Sequence, residues 1–87
     1  MNRQVIWREQ ALDDLTGIAR QNRRTAQRIV DAVNRLAEDN LGDVRKLAGT
    51  AGEYRLRVGD WRVLFTFEDN GRTLLVSRVL NRRDAYR

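Results

Sequence analysis

The sequence contains no cysteine and no histidine. Without cysteine there is no disulfide framework and no thiol chemistry. Without histidine the usual general base near neutral pH is missing, and so is the commonest metal ligand, which excludes a zinc site. Neither a Walker loop, a dinucleotide fingerprint, a metal-ligand spacing nor a nucleophile triad occurs, so the residue pattern implies no cofactor. No apolar run approaches the roughly 20 residues of a membrane span. The opening stretch Met1-Asn2-Arg3-Gln4-Val5-Ile6-Trp7-Arg8 lacks the apolar core of a signal peptide. These absences predict a cytoplasmic protein with no membrane contact. Lysine is scarce as well: the basic residues are sixteen Arg and one Lys.

What remains is compact and basic. Eighty-seven residues make one domain, residues 1–87. A chain of that size buries roughly 60–65% of its unfolded surface, enough for one small core. With 41% hydrophobic and 33% charged residues it reads as folded, not as a disordered basic tail. The net charge is +5. Arginine grips phosphate through a planar, two-pronged donor set, so the bias suits nucleic acid. A compositional bias of the source genome gives the same ratio.

The organising stretch is Glu53-Tyr54-Arg55-Leu56-Arg57-Val58-Gly59-Asp60-Trp61-Arg62-Val63-Leu64-Phe65-Thr66-Phe67. Apolar residues alternate on both sides of a Gly-Asp break, which predicts a β-hairpin. With Gly59 and Asp60 as the loop, Val58 lies opposite Trp61, Leu56 opposite Val63 and Tyr54 opposite Phe65. Arg57 then lies opposite Arg62 on the other face, with Arg55 two residues along. Like charges directly opposite are destabilising, so three gathered guanidiniums point to an anion above them. A solvated sheet face with its arginines spread into water is the plainer alternative.

Before the hairpin, Arg3 to Arg8 is a candidate strand. Glu9 to about Arg20 reads as a helix through Leu12, Leu15, Ile18 and Ala19. A second helix runs from about Arg24 to Asp39, with the stripe Ala26, Ile29, Val30, Val33, Leu36 and Ala37. Arg23, just ahead of it, and its own Arg24, Arg28 and Arg35 form a solvated face. Gly42 is the expected left-handed residue after it. Residues 43–52 read as a loop anchored by Leu47, with Arg45 and Lys46 exposed. After the hairpin, Asn70-Gly71 marks a second turn. Arg72 to Leu80 is the last strand, expected to place Leu74 and Val76 on the core side and Leu75 and Val79 with Arg62 and Leu64. That register drives Arg78 toward the core, so either Arg78 lies beyond the helices or a bulge shifts the pairing. The expected class is α+β, in the order β-α-α-β-β-β, with an antiparallel sheet and a helical hairpin on one face.

The last strand returns to the Arg62 end of the hairpin. Arg82, Arg83 and Tyr86 should therefore land near Arg62. Arginine forks hold phosphate and a tyrosine ring stacks on a base, which suits single-stranded RNA.

The run Tyr54-Arg55-Leu56-Arg57-Val58-Gly59-Asp60-Trp61-Arg62-Val63-Leu64-Phe65, followed by Val79-Leu80-Asn81-Arg82-Arg83-Asp84-Ala85-Tyr86, resembles the RelE branch of the RelE/ParE toxin superfamily. The helical hairpin ahead of it fits too. The resemblance implies a RelE-like toxin of a type II toxin–antitoxin system, silenced by a RelB-like antitoxin protein. It implies cleavage of mRNA in the ribosomal A site, with mRNA and ribosomal RNA as partners. Carried over residue by residue, the catalytic set is Arg55, Arg57, Arg62, Arg82 and Tyr86, with Arg45, Lys46 and Arg83 as further RNA contacts. The second-strand positions are lysines in the best-known member and arginines here. The Arg82–Tyr86 spacing is shorter, which leaves Arg82 and Arg83 both open for the tail role.

The implied reaction is attack of a ribose 2′-OH on the adjacent phosphate, giving a cyclic phosphate and a free 5′-OH. Arg62 and Arg82 would stabilise the phosphate electrostatically, and Tyr86 would stack on a base or orient the 2′-OH. Arginine stays protonated to roughly pH 12, so Arg55 and Arg57 are poor proton acceptors and are expected to position phosphate. Cleavage would then lean on the ribosome to hold the mRNA in line, worth up to roughly 7–11 kcal/mol. Two other readings stay open: a ParE-type toxin that inhibits DNA gyrase by protein contact, and an inactive antitoxin-binding relative.

Overall fold

The computed structural model describes residues 2–85. Strand β1 (Gln4–Trp7) leads into helices α1 (Glu9–Gln21) and α2 (Arg23–Asp39). Four strands follow: β2 (Asp43–Lys46), β3 (Glu53–Val58), β4 (Trp61–Glu68) and β5 (Thr73–Asn81). They form one sheet in the order β1-β5-β4-β3-β2. β1 pairs with β5 in parallel and the remaining pairings are antiparallel. The class is α+β with a helical hairpin on one face, as expected.

A single residue separates the helices. The backbone N–H of Asn22 closes α1 on the Ile18 carbonyl, and its side chain accepts from Thr25 N at 3.2 Å to start α2. Such a cap contributes about 1 kcal/mol. α2 ends at Asn40, whose φ of 58° makes it the left-handed residue in place of Gly42. Asparagine tolerates that region because its short side chain bonds locally. Gly42 has a different reason to be glycine: at φ 148°, an added Cβ would lie 2.8 Å from Leu56 Cδ1.

The hairpin has the expected register, with Val58, Leu56 and Tyr54 opposite Trp61, Val63 and Phe65. Two corrections lie beside it. Residues 43–46, expected as loop, form β2 along the free edge of β3. Val44 drives this pairing, because opposite Leu56 it reaches the core. Leu47, expected as the loop's anchor, does not belong to that core and lines a surface cleft. The second correction concerns β5. Phe65 pairs with Val76 but Leu64 pairs with Arg78, so Ser77 is an extra residue. Its hydroxyl donates to the Leu64 carbonyl at 3.0 Å. The bulge flips the rest of the strand. Val79, expected among the arginines, is buried opposite Val63, and Arg78 escapes the core.

β5 also outruns β1, which leaves its edge open beyond Val76. Asp14 of α1 covers that edge. Its Oδ2 accepts from Val79 N at 2.9 Å and from Arg78 Nε at 2.8 Å, while Oδ1 accepts from Arg78 Nη2 at 3.2 Å. Hydrogen bonding to this carboxylate raises the Arg78 pKa above its ordinary value against the desolvation that lowers it.

The core lies between the helices and one sheet face: Ile29, Val33 and Leu36 of α2 meet Leu56, Val63, Phe65, Leu74 and Val76. Burying each large side chain contributes about 1.5–3 kcal/mol. Toward the β5–β4 loop, Tyr54, Phe65 and Phe67 form an aromatic trio with centroids 5.2–5.6 Å apart. The guanidinium of Arg3 lies 4.7 Å over the Phe67 ring. Among the described residues the opposite sheet face carries no helix.

Candidate functional site

On the open face the register builds two cross-strand rows. One runs Asp43, Arg57, Arg62, Leu80 and the next Arg45, Arg55, Leu64, Arg78. Arg57 and Arg62 lie directly opposite, as the hairpin pattern predicts. The arginines differ in depth, however. Arg57 is exposed, whereas Arg55 and Arg62 are each only 8% exposed. The sequence expectation of three guanidiniums standing above the face is therefore corrected. Strand alternation reports the face of a residue and not its depth.

Arg55 turns toward the β2 edge. Its Nη1 lies 3.7 Å from Asp43 Oδ1 and 3.4 Å from the Asp43 carbonyl. Arg62 turns toward the hairpin loop, where Nη1 donates to the Gly59 carbonyl at 2.8 Å and the Trp61 carbonyl at 3.0 Å. Its Nε is buried with no acceptor, and no carboxylate pairs with it among the described residues. A buried cation without a counter-charge is costly.

The same loop receives the tail. Arg82 N donates to the Asp60 carbonyl at 2.8 Å, and Arg82 Nη1 lies 3.8 Å from Asp60 Oδ1. Both side chains are largely exposed, so that pair is weak. Arg83 is exposed and its N–H donates to Asn81 Oδ1 at 3.2 Å. Thus one two-residue loop gathers Arg62 and Arg82, with Arg57 beside Arg62. Arg82, Arg83, Asp60 and Asp84 line a small cleft of about 620 Å³ there.

The remaining predicted residues fall elsewhere on the face. Arg45 and Lys46 are exposed on β2. With Arg55, Leu64 and Ala85 they line a cleft of about 740 Å³. Tyr86, expected to complete the set, lies outside the described residues. Of Leu75 and Val79, both expected beside Arg62 and Leu64, Val79 goes to the core instead, and Leu80 lies opposite Arg62. The arginines of α2 are exposed, but Arg24, Arg28 and Arg35 line a groove of about 720 Å³ that also includes Arg57. Sequence reasoning missed Asp43, the carboxylate in the arginine row. Its only signal was Val44 between two polar residues, too short for alternation to register. Among the described residues no three His, Cys, Asp or Glu side chains cluster to hold a metal, and no helix is long and apolar enough to cross a membrane.

A family model described as "ParE toxin of type II toxin-antitoxin system, parDE" matches residues 5–86. Among curated proteins, the chain is 41% identical over 44 residues to toxin RelE3 of Methanocaldococcus jannaschii, a match over 51% of this chain and 48% of that one. The match thus spans about half the length of that relative. Among solved structures, the RelB–RelE antitoxin–toxin complex of Methanococcus jannaschii is similar at 27% identity and TM-score 0.61, covering 93% of this chain and 94% of that one. The archaeal RelE–RelB complex of Pyrococcus horikoshii shares the fold at 23% identity and TM-score 0.76, covering 98% and 100%.

Proposed function

The chain belongs to the ParE toxin family of type II toxin–antitoxin systems, within the RelE branch of the RelE/ParE superfamily, and from that membership we propose that it is an endoribonuclease. It acts on mRNA in the A site of the ribosome, through attack of a ribose 2′-OH on the adjacent phosphate. The observation that carries this reading is Arg62. It is a nearly buried cation with no carboxylate partner among the described residues, beside an exposed Arg57 and a tail arginine docked on the same loop. A scissile phosphate supplies the missing counter-charge, and donors aimed at a developing oxyanion are the usual large contribution to such a step. Tyr86 stacks on a base or orients the 2′-OH, and Arg45, Lys46 and Arg83 extend the RNA contact.

The same reading treats residues 1–87 as one toxin domain working in the cytoplasm, held inactive by an antitoxin of the RelB type. The RelE relatives of known structure named above are complexes of that kind. An acidic amphipathic helix suits the basic surface as the inhibitory element.

The test is a primer-extension map of a model mRNA on programmed ribosomes, comparing wild type with Arg62→Ala and Tyr86→Ala. Cleavage inside the A-site codon that vanishes in both variants is the expected result, with naked RNA a poor substrate. Intact mRNA from cells whose growth the wild-type chain still arrests would instead indicate contact inhibition of DNA gyrase.

A further inference from the structure

The reaction proposed above needs a proton acceptor for the 2′-OH, and the arginines of the site cannot serve. They stay protonated to roughly pH 12, and the chain has neither histidine nor cysteine. β2 brings a carboxylate into the arginine row. Asp43 lies directly opposite Arg57, which lies directly opposite Arg62. Adjacent strands sit about 4.8 Å apart, so Asp43 and Arg62 are about 10 Å apart at the backbone. A phosphate with its neighbouring ribose, together with the two side chains, bridges that span. Arg55 holds the carboxylate in place: it is nearly buried, and its Nη1 reaches both the Asp43 carbonyl at 3.4 Å and Oδ1 at 3.7 Å.

The other carboxylates are less well placed. Asp60 lies against Arg82 on the loop, and Asp84 lies in the tail. Glu53 shares the face but sits opposite Thr66, two rows away from Arg57 and Arg62. We propose that Asp43 is the general base of the cleavage step and that Arg55 is a positioning residue for it, an inference that rests on the endoribonuclease reading.

In that step the 2′-OH gives its proton to an Asp43 oxygen. The freed electron pair on the 2′-oxygen forms the new bond to phosphorus. The bond from phosphorus to the 5′-oxygen breaks, its electrons leave with that oxygen, and the 5′-oxygen takes a proton from water. Asp43 returns its own proton to water. Arg57 and Arg62 face the phosphate throughout. Asp43 is thus flanked by Arg55 and Arg57 on β3 and by Arg45 along β2, while Arg35 of α2 shares a groove with Arg57 and Gly42.

The experiment is single-turnover cleavage on programmed ribosomes at several pH values for wild type, Asp43→Asn, Asp43→Glu and Glu53→Gln, with a thermal melt of each free protein. With a carboxylate taking the proton in place of hydroxide, the wild-type rate should be flat from about pH 6.5 to 8.5. Asp43→Asn should slow cleavage about 10²- to 10⁴-fold, and its residual rate should climb about tenfold per pH unit as hydroxide takes over. Asp43→Glu keeps the charge on a longer arm and should be slower with a flat profile, which decides the matter even if the amide variant melts. Wild-type rates in Asp43→Asn or Asp43→Glu, a flat profile in Asp43→Asn, or the loss appearing in Glu53→Gln instead would each overturn the proposal. Failure of the wild type to cleave on ribosomes would overturn the endoribonuclease reading, and this one with it.

Discussion

The two faces of the sheet use the same strands and obey opposite rules. Toward the helices, Leu56, Val63, Phe65, Leu74 and Val76 are fully enclosed, and each meets a side chain that suits it. Away from them, arginine faces arginine twice, at Arg57–Arg62 and Arg45–Arg55, and a guanidinium nitrogen is buried without an acceptor. Every second residue belongs to one face, so selection on one leaves the other nearly free. Stability is concentrated on the helix side, and the open side carries charge arrangements that a purely structural sheet would avoid. Unfavourable local electrostatics tolerated on a well-built scaffold therefore makes the open face, not the packed one, the candidate site.

The largest effect should come from breaking the packed face. Phe65→Ala removes a fully buried ring that touches both Tyr54 and Phe67. It should cost about 3–5 kcal/mol of stability in urea denaturation. For a chain of 87 residues that is a large share of the whole. The open face should respond in the reverse sense. Arg62→Ala should slow ribosome-dependent cleavage about 10²- to 10³-fold, or about 2.7–4 kcal/mol in the barrier. Its stability should be equal to or above wild type, because a buried cation without a counter-charge is removed. A marked loss of stability in Arg62→Ala would show that its two bonds to the hairpin carbonyls are structural and would erase the contrast.

A smaller effect sharpens the boundary between the faces. Asp14 reaches around the edge of β5 to hold both Val79 N and Arg78. Asp14→Ala leaves a backbone donor and a guanidinium without partners and should cost about 1–3 kcal/mol, measured by denaturation. Cleavage by the folded fraction should be unchanged, since Asp14 belongs to the helix side.

Much of this architecture was legible in the sequence. The hairpin register followed from period-two alternation around Gly59-Asp60, and both helices from their apolar stripes. What escaped detection has physical reasons. The bulge at Ser77 is a single inserted residue, visible in advance only as the misfit of Arg78. β2 is four residues long with one apolar member, below the length at which alternation separates strand from loop. With β2 unseen, Asp43 had no neighbours and Arg55 no partner. The depth of Arg62 was invisible because it depends on the loop carbonyls around which the side chain folds. The membership of Arg57, Arg62 and Arg82 in one neighbourhood was legible, because it needs only strand order and strand direction.

The smallest expected effect is the most discriminating. Arg57 is exposed, lies opposite Arg62 and makes no ion pair among the described residues. An ordinary surface arginine is close to neutral for stability, and one placed against a like charge is slightly unfavourable. Arg57→Ala should therefore change stability by no more than about 0.5 kcal/mol, in the stabilising direction. Screening gives the check on cause. At about 0.01 M salt charges interact over roughly 30 Å, and at about 1 M over roughly 3 Å. The gain should be seen in dilute buffer and vanish in concentrated salt. A destabilisation that ignores salt would mean that the aliphatic stem of Arg57 packs the groove beside α2, and that the open face contributes to the fold after all.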